Sequence, residues 1–307
     1  MKTKTLICVV GPTAVGKTKV AIELAKWLRC EILSADSRQF YQEMEIGTAK
    51  PDVEELRAAT HHFINNLSIK DAYDVGMYEK EALIELQKQF ETKDFAILVG
   101  GSGMFVDTVC HGLDKFPAIS IGVRETLNME LEEKGIAHLQ EELKTSDPDY
   151  YEIVDFNNTQ RITRALEVIR STGQTFSSFR KGQKLDRPFN IVKVGLEMDR
   201  ETLYDRINLR MDLMIEAGLF QEAESLLVHR SHNALQTVGY KEVFGFLDGD
   251  YDKEEAIRLL KRNSRRYAKR QMTWFKRDET TSWFHPNHLD EIKAYLKSKL
   301  EFSITKD

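Results

Sequence analysis

Gly11-Pro-Thr-Ala-Val-Gly-Lys-Thr18 lies between an apolar run, Leu6 to Val10, and a helical pattern, Thr18 to Leu28, with Val20, Ala21, Leu24 and Leu28 on one side. The spacing is that of a phosphate-binding loop. Glycines let such a loop turn its N–H groups inward, and the helix N-terminus adds positive potential. Lys17 supplies a point charge and Thr18 can ligate Mg²⁺. Gly11, Pro12, Thr13, Ala14, Val15, Gly16, Lys17 and Thr18 are therefore expected to grip a diphosphate or triphosphate.

Working outward, Glu31 to Leu33 reads as a second strand ending at Ser34-Ala-Asp36, and Phe95 to Val99 as another ending at Gly100-Gly-Ser-Gly103. Helical patterns separate them. Strands alternating with helices imply an α/β fold with a parallel sheet, whose carboxyl-end loops bind ligands. Asp36 and Ser102 should converge there on the phosphate loop. From Pro117 the chain is charged and helix-forming until Phe189 to Leu196 returns it to the sheet, with Pro117 and Pro188 as hinges. The expected organisation is a P-loop core, residues 1–117 and 189–307, carrying an inserted all-helical domain, 118–188. Beyond Arg200 the pattern is helical, with an apolar stripe through Leu203, Ile207, Met211, Met214 and Ile215, and Gly218 capping or breaking that helix.

The 307 residues, 41% of them apolar, suffice for one large or two ordinary domains. Cys8, Cys30 and Cys110 are too far apart for metal-ligand pairs, and the odd count fits a reducing, cytoplasmic setting. The N-terminal apolar run is too short to span or target a membrane. A net charge of −5 excludes a generic polyanion binder. The average conceals a basic segment, however: Arg258, Lys261, Arg262, Arg265, Arg266, Lys269, Arg270, Lys276 and Arg277 occur with no acid among them. Such a segment neutralises phosphates and favours RNA over a small substrate. Its Tyr267, Trp274 and Phe275 have the spacing of core anchors. His61 and His62 have no carboxylate or cysteine at ligand spacing, so no metal role is assigned to them.

By itself the loop suggests an enzyme using ATP or GTP, yet the acid that usually follows an apolar strand in such enzymes is replaced after Val99 by Gly-Gly-Ser-Gly. The nearest strand-end carboxylate is Asp36, in Ser34-Ala-Asp-Ser-Arg-Gln-Phe-Tyr41. It suits either a base or, as Asp commonly does, a turn cap.

GPTAVGKT, SADSRQFY, MEIGTAKP, HHF, LVGGSGMF, QRITRALEVIRSTG, VGYKE and YAKRQMTWF follow in order from residue 11 to about 275. Together they resemble the tRNA dimethylallyltransferases over nearly the whole chain. The resemblance implies transfer of a dimethylallyl group from dimethylallyl diphosphate to N6 of adenosine 37, beside the anticodon, in tRNAs reading codons that begin with U. It further implies Mg²⁺ as cofactor and the tRNA anticodon stem-loop as partner; the chain is expected to act as a monomer. The loop would then hold a leaving group, whose developing charge needs stabilising in place.

The same resemblance implies the residue roles. Asp36 is the base, with Thr18 and Arg210 as further catalytic groups, Thr18 also being the metal ligand. Asp36, Ser37, Arg38 and Gln39 face the flipped adenosine. Ser102, Arg124, the run Gln160, Arg161, Ile162, Thr163 and Arg164, and the run Gln236, Thr237, Val238, Gly239, Tyr240 and Lys241 match tRNA contacts. Arg206, one turn before Arg210, is read as structural, with Asp205 and Asp212 as compensating acids. Ser102 in place of threonine, Met104-Phe105 in place of Leu-Tyr, and Glu45 in place of aspartate are modest departures. An adenylate isopentenyltransferase would share the loop and the Asp but need no inserted domain. A P-loop kinase lacks its strand-end acid here, and a non-catalytic RNA binder leaves Lys17, Thr18 and Asp36 unexplained.

Overall fold

The Leu6–Val10 run forms most of β1 (Thr5–Val10), and every residue of that strand is buried. Leu6, Cys8 and Val10 join one apolar cluster and Ile7 and Val9 another. A strand covered on both faces reads as continuously apolar, which is why no alternation marks it in the sequence. The computed structural model describes residues 4–182 and 184–304.

In chain order β1 is followed by α1 (Lys17–Leu28), β2 (Ile32–Ser34), α2 (Val53–Ala58), β3 (His61–His62), α3 (Val75–Thr92), β4 (Phe95–Gly100) and α4 (Gly103–His111). The segment Gly112–Asp186 is a separate compact unit. Beyond it come β5 (Asn190–Leu196), α10 (Arg200–Glu216), α11 (Leu219–Ser225), α12 (Tyr240–Leu247), α13 (Lys253–Phe275), β6 (Ser282–Phe284) and α14 (Leu289–Ile304), the numbers α5 to α9 being kept for the separate unit. All strand pairings are parallel, in the order β3-β2-β4-β1-β5-β6.

One face of the sheet packs on α3, α4, α12 and α13 through residues such as Tyr78, Leu86, Val109, Val243 and Leu260. The other packs on α1 and α14 through Leu24, Ala25, Ile292 and Leu296. With β1 central, Val10 lies opposite Gly100 of β4 and Gly195 of β5. The phosphate loop thus leaves the sheet at the carboxyl-end crevice where parallel sheets bind ligands. Strand β6, with the sequence Ser-Trp-Phe, is too short for the pattern to announce it.

The second unit comprises α5 (Val123–Lys134), α6 (Ile136–Ser146), α7 (Pro148–Tyr151), α8 (Thr159–Thr172) and α9 (Phe176–Phe179). Its own core gathers Leu127, Leu139, Leu143, Ile162, Leu166 and Phe176. The boundary lies at 112 and 186, rather than at Pro117 and Pro188. Segments flanking the helices explain the shift: Phe116 stacks on Phe176 at 4.8 Å, and the Gly182 amide donates to Asp114 at 3.0 Å. Asp147 is fully buried and accepts from Tyr150 N, Ser177 N and Ser177 Oγ, which ties α7 to α9.

Within this unit Gln160 and Arg161 are exposed on α8, while Ile162 and Thr163 are buried. Ile162 and Thr163 are therefore placed for packing instead of surface contact, since the inward stripe of the amphipathic α8 includes them. Arg124 and Arg164 both pair with Glu167, whose side chain is 2% exposed. A buried carboxylate of this kind demands partners, so both arginines have a structural duty.

Candidate active site on the phosphate loop

The loop backbone is constrained at three positions. Gly11 has φ of 145°, and a Cβ there would sit 2.6 Å from the Leu196 carbonyl. Gly16 has φ of 107° and caps α1, and even Ala14 is held at φ of 64°. This turns the segment back over the N-terminus of α1. Lys17 Nζ donates to the Pro12 carbonyl at 2.8 Å, and the Thr13 amide donates to Gln271 Oε1 at 2.8 Å. Gln271 Nε2 in turn donates to the Gly101 carbonyl at 2.9 Å. One glutamine of α13 therefore braces the phosphate loop against the loop after β4.

That second loop explains its glycines. A Cβ at Gly100 would meet the Ala35 carbonyl at 2.2 Å, one at Gly101 would meet Gln271 Nε2 at 2.3 Å, and one at Gly103 would meet the Trp274 ring at 2.2 Å. Backbone and side chains press on the run from three sides, which leaves little room for a side chain at Gly100, Gly101 or Gly103. Ser102 remains polar and useful: its Oγ accepts from the Ser37 amide at 3.0 Å and lies 3.2 Å from Ser37 Oγ.

A cavity of about 550 Å³ opens on the loop, lined by Thr13, Lys17, Thr18, Asp36, Arg206 and Arg210 among others. A smaller one of about 100 Å³ adjoins it and shares Thr13, Ala14, Asp36, Thr48, Ala49, Arg210 and Tyr267. Met211, Met214, Arg38, Thr237, Val238 and Gly239 line the smaller cavity. Asp36, at the carboxyl end of β2, thus stands where the two meet. Its Oδ1 also accepts from the Arg38 amide at 3.0 Å, so the turn cap and the cavity position coexist.

The two arginines of α10 both reach the loop. Arg210 Nη1 donates to the Thr13 hydroxyl at 3.4 Å, and Arg206 Nε donates to the Ala14 carbonyl at 2.8 Å. Arg206 therefore belongs to the cavity wall, whereas Asp212 pairs with Lys261. Burial pushes the Lys17 ammonium down to about 8, with Asp36 opposing and Arg210 adding to the shift. Burial also lowers Arg210. Two desolvated cations side by side are destabilised charges that a polyanion would relieve.

Several cavity residues were not anticipated from spacing. Tyr267, read as a core anchor, lines both cavities, while Trp274 and Phe275 of the same helix pack as expected, Trp274 Nε1 donating to Asp107 at 2.7 Å. Burial pushes the Tyr267 hydroxyl up to about 12, so it stays a neutral donor. His61 lines the larger cavity; Nδ1 is 2.8 Å from the Ala59 carbonyl, and Nε2 is buried without a hydrogen-bond partner among the described residues. The fold brings Glu31 and Glu85 to His62, which sequence spacing did not reveal, but Lys93 pairs with Glu31 in that cluster. A visible clue existed for Gln271: it is polar yet falls in the buried row Ser264, Ala268, Gln271, Phe275 of α13.

Other anticipated residues settle differently. Tyr240 is fully buried and its hydroxyl donates to Glu222 at 2.6 Å, which takes it out of the exposed set. Gln236 and Lys241 stay exposed. Gln39 lines the larger cavity, but its amide is engaged with the Thr48 and Ala49 carbonyls at 3.4 and 3.3 Å. In the basic segment Arg258, Lys261 and Lys276 pair with Glu255, Asp212 and Glu197, leaving a narrower exposed set that includes Arg266, Lys269, Arg270 and Arg277. Among the described residues no helix is long and apolar enough to cross a membrane.

The family model described as IPP transferase matches residues 39–278. The chain is 49% identical over 298 residues to a tRNA dimethylallyltransferase of Cytophaga hutchinsonii, covering 97% of this chain and 98% of the relative. It is 46% identical over 301 residues to tRNA dimethylallyltransferase 1 of Bacteroides fragilis, covering 98% and 100%. Among solved structures, the full-length tRNA isopentenylpyrophosphate transferase of Bacillus halodurans is 38% identical with a TM-score of 0.73, over 98% of each chain. A eukaryotic dimethylallyltransferase acting on tRNA is 26% identical with a TM-score of 0.73, covering 89% of this chain and 70% of its own. Phosphate loop, strand-end aspartate and near-complete coverage agree, and the chain belongs to the IPP transferase family of tRNA dimethylallyltransferases.

Proposed function

We propose that this chain transfers the dimethylallyl group of dimethylallyl diphosphate to N6 of adenosine 37, beside the anticodon of tRNA. The observation that carries the reading is that Asp36 lines both cavities, with Lys17 and Thr18 of the phosphate loop lining the larger one and Arg38 and residues 237–239 the smaller. The diphosphate lies along Thr13 to Thr18, under Lys17, Arg206 and Arg210. The adenine enters from the side of Arg38 and Gly239, since a base must leave its stack before N6 can meet an electrophile.

As the C–N bond forms, the C1–O bond to diphosphate breaks and its electron pair leaves on the diphosphate oxygen. A proton of N6 passes to Asp36. Lys17, the arginines and the loop amides stabilise the charge that develops on the leaving group. Thr18 lines the larger cavity with a hydroxyl, a hard oxygen donor of the kind that would hold Mg²⁺, and the ion would neutralise part of the diphosphate charge.

The second unit supplies the exposed Gln160 and Arg161 for the anticodon loop. Arg161→Ala is expected to weaken stem-loop binding and to reduce the salt slope of log K by about one, with the rate at saturating RNA unchanged. Titrations at several salt concentrations check this. The whole reading is tested by incubating the protein with dimethylallyl diphosphate, Mg²⁺ and either anticodon stem-loop RNA or AMP, and following the mass of each adenosine. Labelling of RNA alone is expected; labelling of AMP and not RNA overturns it.

A further inference from the structure

Glu222 of α11 lies outside both cavities, yet its carboxylate is saturated by one stretch of backbone. It accepts from the Glu45, Ile46 and Gly47 amides at 3.0, 2.7 and 2.9 Å and from the Tyr240 hydroxyl at 2.6 Å. Three successive amides aimed at one anion form a nest, and such charge-assisted bonds are roughly twice as strong as neutral ones. Gly47 is pressed on the same anchor: a Cβ there would lie 2.5 Å from the Tyr240 ring.

The held segment continues directly into the site. Thr48 and Ala49 line both cavities, and Lys50 and Pro51 line the larger one. Ala49 is in the left-handed region at φ of 47°, a conformation that persists only where the surroundings enforce it. Further ties run inward: Gln39 Nε2 reaches the Thr48 and Ala49 carbonyls, and Lys50 Nζ donates to the Tyr41 carbonyl at 2.6 Å. Residues 47–51 thus form part of the walls of the two cavities that Asp36 also lines, with Thr48 and Ala49 common to both, and Glu222 fixes the stretch at the 45–47 end.

The geometry points to Glu222 as a positioning residue for the transfer, fixing through Tyr240 and residues 45–47 the wall against which adenine and allyl group meet beside Asp36. The assignment rests on the proposed function, in which Asp36 takes the N6 proton. Diphosphate is gripped by the phosphate loop and α10, so loosening this wall alters alignment while the grip on diphosphate stays.

Glu222→Gln preserves size but turns one acceptor oxygen into a donor facing amide donors. Its single-turnover rate, at saturating donor and stem-loop RNA, is expected to fall about 10- to 100-fold, the scale of a small misplacement of reacting groups. Affinity for inorganic diphosphate, by calorimetry, stays within about threefold of the unaltered protein. Tyr240→Phe falls less, and the double variant is no slower than Glu222→Gln alone, because both act through one carboxylate. A full rate in Glu222→Gln, or a diphosphate affinity falling as far as the rate, overturns the assignment. If Glu222→Gln does not fold, a full rate in Tyr240→Phe overturns it. Asp36→Asn run alongside separates the two ideas: a full rate there removes the proposed function, whereas a slow Asp36→Asn with a full-rate Glu222→Gln removes only the role of Glu222.

Discussion

Asp36→Asn lowers the single-turnover rate of transfer by about 10²- to 10⁴-fold, the contribution typical of a general base, while RNA affinity stays near that of the unaltered protein. Asparagine is the informative replacement because Asp36 Oδ1 also accepts from the Arg38 amide, and an amide oxygen keeps that bond. The turn survives and only the proton acceptor is lost. Rapid-quench kinetics for the rate and filter binding for the affinity separate the two roles. Equal loss of rate and affinity would make Asp36 a binding residue.

The second large effect is at the leaving group. Lys17→Ala is expected to cost about 10²- to 10³-fold in rate, the scale of removing one preorganised donor from a developing oxyanion, together with a weaker grip on inorganic diphosphate. Lys17 is held by the Pro12 carbonyl beneath the loop, and burial has already lowered it to about 8 with Arg210 contributing. That cation is unfavourable until an anion arrives, so its interaction with diphosphate is strong. Steady-state measurement of kcat and donor KM, with calorimetry of diphosphate binding, checks the result. An unchanged KM and diphosphate affinity would mean that the loop holds something else.

These two residues also show what was legible at the start. Lys17 and Thr18 follow from eight consecutive residues, because a phosphate loop is a local structure whose glycines and lysine are fixed in spacing by one turn of backbone. Asp36 was legible in position, from the strand before it, but ambiguous in role. The helical character of 118–188 was legible from its pattern, whereas its boundary was set by Phe116 on Phe176 and Asp114 on Gly182, contacts between segments far apart in the chain. That Tyr240 turns inward is not legible in the sequence, because a motif does not say which of its side chains is buried.

Local periodicity and ordered short motifs carry the α/β class, the strand, loop and helix at residues 5–28, and the family, so all of these can be read from the chain alone. Packing alone makes Gln271 brace Thr13 across 258 residues, turns Tyr267 and His61 into the cavity, brings Arg206 beside Arg210 on the loop, and lets Glu222 hold residues 45–47. The physical reason is common to all of them. A single side chain on a helix has no periodic signature of its partner, and its bonding is set by which strand end or loop the packed sheet brings within about 3 Å of it.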